Sequence, residues 1–181
     1  MEVTIRLEGC IDADWARNVS DQRSTSGFFF SLGGGAITWS SKKQPTVALS
    51  STEAEYKGTT IATCEEIWLK WLLKDFNESV DKPIHIYYNS QSSIQLTWNP
   101  IFHGQPKHHY VRERIIAGNI NLHHVSIDQQ TTNIFTKTLG ADKLCQFSMA
   151  FNLWPINTSK SASKAWGGRC RPSEPNTTDI T

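Results

Sequence analysis

Neither sign of charge dominates this sequence: 18 lysines and arginines stand against 17 aspartates and glutamates, a net charge of +1. No global field draws such a chain to nucleic acid or to an acidic membrane, so any basic surface must be local. Long apolar runs are also missing. None approaches the roughly 20 residues that cross a bilayer, and Met1-Glu2-Val3-Thr4-Ile5-Arg6 lacks the apolar core of a signal peptide. The expectation is a protein of the cytoplasm or nucleus with no membrane partner. Cysteine is sparse: Cys10, Cys64, Cys145 and Cys170 lie far apart with no CxxC pair, which argues against a zinc centre and, in a reducing compartment, against disulfides. Without a secretory route the sequons at Asn157 and Asn176 carry little weight.

What is present centres on Val47 to Tyr56, where strand-like writing turns helical and Glu53 and Glu55 stand at the junction. Ser50 followed by Glu53 fits a capping box, with the hydroxyl accepting an orphan helix N–H and the carboxylate reaching back. Glu55 has no such structural task. At helical spacing it lies above Thr59 and Ala62 and near the line of Leu69, at the edge of an apolar stripe of Ala54, Gly58, Ile61, Ala62, Trp68, Leu69, Leu72 and Phe76. A carboxylate turned toward the core needs a metal or a basic partner.

In chain order, Leu7 to Asp14 reads as a strand whose Asp12 and Asp14 point to one face. Trp15 to Ser26 is a polar loop. Gly27 to Leu32 and Ala36 to Ser40 form a hairpin turned by Gly33-Gly34-Gly35; the spacing and lysine of a phosphate-cradling loop are absent. Ser41 to Pro45 closes the strand, with Lys42 and Lys43 either in a solvated turn or available to phosphates. A helix runs from Ser50 to about Phe76, and Ile84 to Tyr88 is a fourth strand, parallel because a long helix precedes it. A short helix covers Ser92 to Trp98, Ile101 to His109 reads as a basic loop, and Tyr110 to Ala117 as one or two helical turns. Ile120 to Val125 is a fifth strand, Thr131 to Thr136 opens a helix, and Asp142 to Phe151 is amphipathic. Trp154 to Thr181 has the composition of a disordered tail. The fold class is therefore α/β: a mixed five-stranded sheet with three antiparallel strands, then parallel ones, flanked by helices.

Several of these stretches match a known family. Gly9 to Ala16, Arg23 to Gly27, Leu32 to Pro45, Leu49 to Tyr56, Phe102-His103-Gly104 and Ile134-Phe135-Thr136-Lys137 together resemble the ribonuclease H domain of copia-type (LTR) retrotransposon Pol polyproteins. The resemblance spans about Leu7 to Leu153, which gives a domain over 1–153 and a tail over 154–181. It implies an RNase H-like fold that cuts the RNA strand of an RNA–DNA hybrid with two magnesium ions, in a domain originally linked to a reverse transcriptase. Paired cations activate water and stabilise the leaving oxygen, and carboxylates hold such hard ions.

The family uses four carboxylates. Asp12 matches the first and Glu55 the second, so these are the metal ligands the resemblance implies; Asp14 and Glu53 rank lower. The other two catalytic positions carry Asn89, where members read aspartate, and Asn133, where members read Ala-Asp-Ile-Phe-Thr-Lys. An asparagine carbonyl can touch a metal but brings no charge and cannot bridge two ions. Halving the site's formal charge from four to two predicts severely weakened Mg2+ binding and a degenerate copy. Members also carry several more residues around Lys107 to Glu113, and Met1 lies close to the first strand, both in keeping with a decayed copy.

Two further readings stand beside this one: a residual nuclease with Asp12, Asp14, Glu53 and Glu55 as an altered metal site, and a nucleic-acid-binding remnant without chemistry, using Arg23, Lys42, Lys43, Lys107 and Arg112. Beneath them lies a non-functional polyprotein fragment. His103, His108, His109, His123 and His124 do not make a metal cluster, because alternation sends His123 and His124 to opposite faces. The tryptophans read as core residues more than as base-stacking platforms, and Trp39, near the lysines, is the candidate exception.

Overall fold

A computed structural model describes residues 6–16, 20–78, 80, 83–98, 106–140, 142, 143 and 147, with backbone alone at 96, 98 and 106–109. Strand β1 (Leu7–Asp14) leads to β2 (Thr25–Leu32) and β3 (Gly35–Lys43), then to helix α1 (Ser51–Asp75), β4 (Ile84–Tyr88), α2 (Gln91–Trp98), α3 (Pro106–Ile116), β5 (Ile120–His124) and the short α4 (Asn133–Thr136). The sheet order is β3-β2-β1-β4-β5. Pairings β1–β2 and β2–β3 are antiparallel, whereas β1–β4 and β4–β5 are parallel. This is the mixed sheet expected. The hairpin turns on Gly33 and Gly34 alone, both at positive φ, where glycine carries no steric penalty; Gly35 already belongs to β3.

Alternation divides the core into two layers. Leu7, Ile11, Phe28, Phe30, Ile84, Ile86, Tyr88 and Ile120 face Tyr56, Ala62, Leu69 and Leu73 of α1 and Val111 of α3. On the other face Phe29 packs with Phe147 beside Cys10, Ala36, Ile134, Phe135 and Leu139. Phe30 pairs with Thr38 but Ser31 pairs with Ala36, so Ile37 is the extra residue of a bulge. The bulge turns Trp39, Ser41 and Lys43 toward the α4 side, where the Ser41 hydroxyl donates to the Phe135 carbonyl.

Three expectations are corrected. The apolar stripe of α1 is narrower than its sequence suggests: Ile61, Trp68 and Phe76 are exposed, Trp68 by half, because the helix lays only one face on the sheet, and buried there with Tyr56, Ala62, Leu69 and Leu73 are the polar Thr59, Thr63 and Glu66. Lys42 and Lys43 belong to β3, not to a turn. Helix α3 starts at Pro106, so Lys107, His108 and His109 stand in a helix instead of a loop, with proline at the first helical position, where its missing N–H costs no bond. Phe102-His103-Gly104, most of Asp142 to Phe151 and the tail from Trp154 lie outside the described residues.

Candidate active site

The end of β1 is where the chemistry gathers. Strand β4 stops pairing at Tyr88, opposite Ile11, and the backbone of β1 beyond it is taken up by side chains. Buried Gln130 donates its amide to the Ile11 carbonyl, and the Ala13 N–H is hydrogen-bonded to Glu55. Glu55 can be there because Ser50 starts α1 as expected, accepting the Glu53 N–H at 3.1 Å. The Glu53 carboxylate reaches back one residue further than a strict capping box, accepting the Leu49 N–H at 2.9 Å, and also pairs with Lys57 at 3.1 Å. Glu53 is thereby committed to the cap, and Glu55, five residues into the motif, enters the site.

Asp12 is fully buried on the face opposite Ile11. Thr136 donates its hydroxyl to Asp12 Oδ2, and Lys137 Nζ lies 3.4 Å from Oδ1. The approach of α4 is possible because residue 27 is glycine: a Cβ there would lie 2.8 Å from Phe135 Cβ and 2.9 Å from Thr136 Cγ2. Asn133, also buried, donates its amide to the Ile127 carbonyl at 2.9 Å, while its Oδ1 accepts from Lys137 Nζ at 2.5 Å. Asn89 follows directly on Tyr88, the last residue of β4, which pairs with Ile11, the neighbour of Asp12. Lys137 links Asp12 to Asn133, Glu55 feels the Asp12 charge, and Asn89 begins the chain beyond β4.

Burial pushes the Glu55 carboxyl up to about 8, with the Asp12 charge adding to the effect and Lys137 opposing it. Glu55 Oε2 and Asn89 Oδ1 are buried oxygens without a hydrogen-bond partner among the described residues. Asp14 contributes only a minor part of the field on Glu55. Among the described residues no three His, Cys, Asp or Glu side chains converge closely enough to hold a metal ion.

Of the basic residues, Lys43 and Arg23 both pair with Asp21, at 2.8 and 3.2 Å, and Lys43 foremost holds the Asp21 carboxyl down at about 2. Asp14, Thr25 and Lys43 form one row across β1, β2 and β3, which puts Lys43 about 10 Å from the strand carrying the carboxylates. Trp39 is 59% exposed on the same face of β3. Lys107 and Arg112 belong to α3, which packs beside α1, α2 and β5, apart from β3.

Reading from sequence missed Thr136, Lys137, Gln130 and Gln44. The buried Gln44 amide donates to Ser26 Oγ and to the Ala54 carbonyl, both at 2.8 Å, tying β2 to the first turn of α1. The signal for three of them was in the matched runs themselves, Lys-Lys-Gln-Pro and Ile-Phe-Thr-Lys. The histidine expectation also needs one addition: His123 and His124 do part to opposite faces, but His85 on β4 meets His123, with Nδ1 and Nε2 2.6 Å apart.

Comparison with known proteins gives a family. Over 147 residues, 77% of this chain, it is 36% identical to the retrovirus-related Pol polyprotein from transposon TNT 1-94 of Nicotiana tabacum, covering 11% of that protein. The transposon RE2 polyprotein of Arabidopsis thaliana is 36% identical over 150 residues, 80% of this chain and 10% of its own length. Among solved structures, LC11-RNase H1 in complex with an RNA/DNA hybrid superposes with a TM-score of 0.52 at 13% identity, over 72% of this chain and 94% of that one. The chain belongs with the ribonuclease H domains of copia-type Pol polyproteins. It spans about a tenth of the length of the polyproteins it matches. No family model matches the copia-type chain. Among its described residues no helix is long and apolar enough to cross a membrane.

Proposed function

We propose that this RNase H-like domain descends from an enzyme that hydrolysed the RNA strand of RNA–DNA hybrids, and that its own cutting is weakened or lost. The observation that carries the reading is the charge at the convergence point. Two carboxylates, Asp12 and Glu55, share it with two asparagines and one ammonium, that of Lys137. Two-metal hydrolysis needs carboxylates to bridge and orient a pair of divalent ions. The Asn133 side-chain oxygen is already engaged by the Lys137 ammonium, and an amide oxygen brings no charge with which to hold a divalent ion. The residues present therefore do not fit a pair of magnesium ions. Asp12, Glu55, Asn89 and Asn133 are the inherited catalytic positions, with Asp12 and Glu55 the remaining metal-binding pair.

The test is a hybrid-cleavage assay with magnesium. The unmodified protein leaves a labelled hybrid intact, and Asn89→Asp with Asn133→Asp restores some cutting. Robust cleavage by the unmodified chain, abolished by Asp12→Asn, would falsify the reading.

A second reading, a nucleic-acid-binding remnant without chemistry, is favoured by one observation: Lys43 and the exposed Trp39 share a face of β3 at the end of the sheet that carries Asp12. Cations within reach of phosphates and an aromatic platform suffice for binding without catalysis. Its mark is hybrid binding that weakens steeply with salt and does not need metal. Under both readings the partner is an RNA–DNA hybrid or another nucleic acid, and the ancestral context is a polyprotein that also carried reverse transcriptase.

A further inference from the structure

We propose that Lys137 is the resident cation of the centre: its ammonium, held between Asp12 and Asn133, takes the place a divalent ion would fill and pins α4 to β1 without metal. Asp12 is wholly buried, and the Lys137 side chain is about one-third exposed. A buried carboxylate whose counter-charge is removed is strongly destabilising. The Thr136 hydroxyl supplies Asp12 with a hydrogen bond but no charge. Lys137 supplies the charge, and its position is fixed by its own helix: Asn133 lies one turn earlier, accepts from Nζ through Oδ1 at 2.5 Å, and accepts the Lys137 backbone N–H through its carbonyl at 2.9 Å. Asparagine at 133 thus serves the lysine twice over, with one oxygen facing it and the amide anchored to Ile127. A lysine ammonium is a compact charge with several donors, so one group can satisfy both oxygens.

The inference rests on the reading of this cluster as a former metal centre, and the two fail separately: hybrid cleavage tests that reading, and a thermal-unfolding series tests Lys137. The unmodified chain unfolds at the same temperature in chelator and in millimolar magnesium or manganese. Lys137→Met lowers the midpoint by about 5 °C or more. Because the variant leaves the Asp12 carboxylate without a counter-charge and vacates the place of the ammonium, manganese raises the variant's midpoint, as any ligand of the folded state does. Asp12→Asn added to Lys137→Met recovers part of the loss in chelator by removing the uncompensated charge. Should Lys137→Met fail to fold, the double variant must still fold. A Lys137→Met chain with an unchanged midpoint overturns the proposal, as does a double variant no better than the single one, or an unmodified chain that gains as much from manganese as the variant.

Discussion

Gly27 and Thr136 approach through the space a side chain would fill: a Cβ on Gly27 would stand 2.9 Å from Thr136 Cγ2, with Phe135 Cβ nearer still at 2.8 Å. That approach brings the Thr136 hydroxyl onto Asp12. Gly27→Ala therefore forces α4 away from β2 and costs about 1–3 kcal/mol, the usual range for overpacking. For a chain of this size that is a fall of roughly 2–12 °C in unfolding temperature. A variant with an unchanged midpoint would show that α4 is free to sit elsewhere.

Gln44 makes a similar demand on the other side of the site. Its amide is the bolt between Ser26 on β2 and the Ala54 carbonyl in the first turn of α1. Gln44→Ala leaves both groups buried without their donor, a loss of about 1–3 kcal/mol, and loosens the turn that aims Glu55. Urea unfolding reads the first effect as a lower midpoint with an unchanged slope. Amide exchange at Ala54 and Glu55 reads the second as faster exchange than in the parent, confined to the start of α1.

How much of this was legible in the sequence depends on how local each feature is. Asp12 ends an alternating strand and Glu55 opens a capped helix, so a few neighbours suffice to place both. The hairpin and the parallel fourth and fifth strands follow from two glycines and from the helices that intervene. Lys137 could not be placed that way, because its partner Asp12 is 125 residues distant in sequence and only the landing of α4 on Gly27 joins them. Ile61, Trp68 and Phe76 were misplaced for a related reason: helical periodicity marks an apolar face but not its width, which the sheet below α1 decides. The start of α3 carried a local sign, proline at 106, outweighed by the polar run that follows it.

The pair His85 and His123 makes stability depend on acidity. Burial first, then the charge of His85, holds the His123 imidazole below its ordinary value of 6.5, and a bond between two ring nitrogens 2.6 Å apart requires one of them to be an unprotonated acceptor. The folded chain thus binds the proton less readily than the unfolded chain. The stabilisation is fully present above about pH 6.5 and is lost as pH falls below it toward the depressed folded value. Urea midpoints measured from about pH 7.5 to 5.5 should decline over that window, and His123→Asn should flatten the decline. An identical slope in the variant would assign the pH dependence to other groups.

Asp21 restrains the cations that the nucleic-acid reading needs. It pairs with Arg23 at 3.2 Å and with Lys43 at 2.8 Å, and Lys43 lies on the same row of the sheet as Asp14. A phosphate would have to compete with the Asp21 carboxylate for both side chains. Asp21→Asn removes the competitor and leaves the cations in place, so hybrid binding should tighten. Its dependence on salt should also steepen by about one to two in the slope of log affinity against log salt, since each recruited phosphate contact adds about 0.9. Titrations at several salt concentrations in chelator measure both. Binding with the same affinity and slope as the parent would place the nucleic acid away from Arg23 and Lys43, and would leave α3, with Lys107 and Arg112, as the basic element to examine.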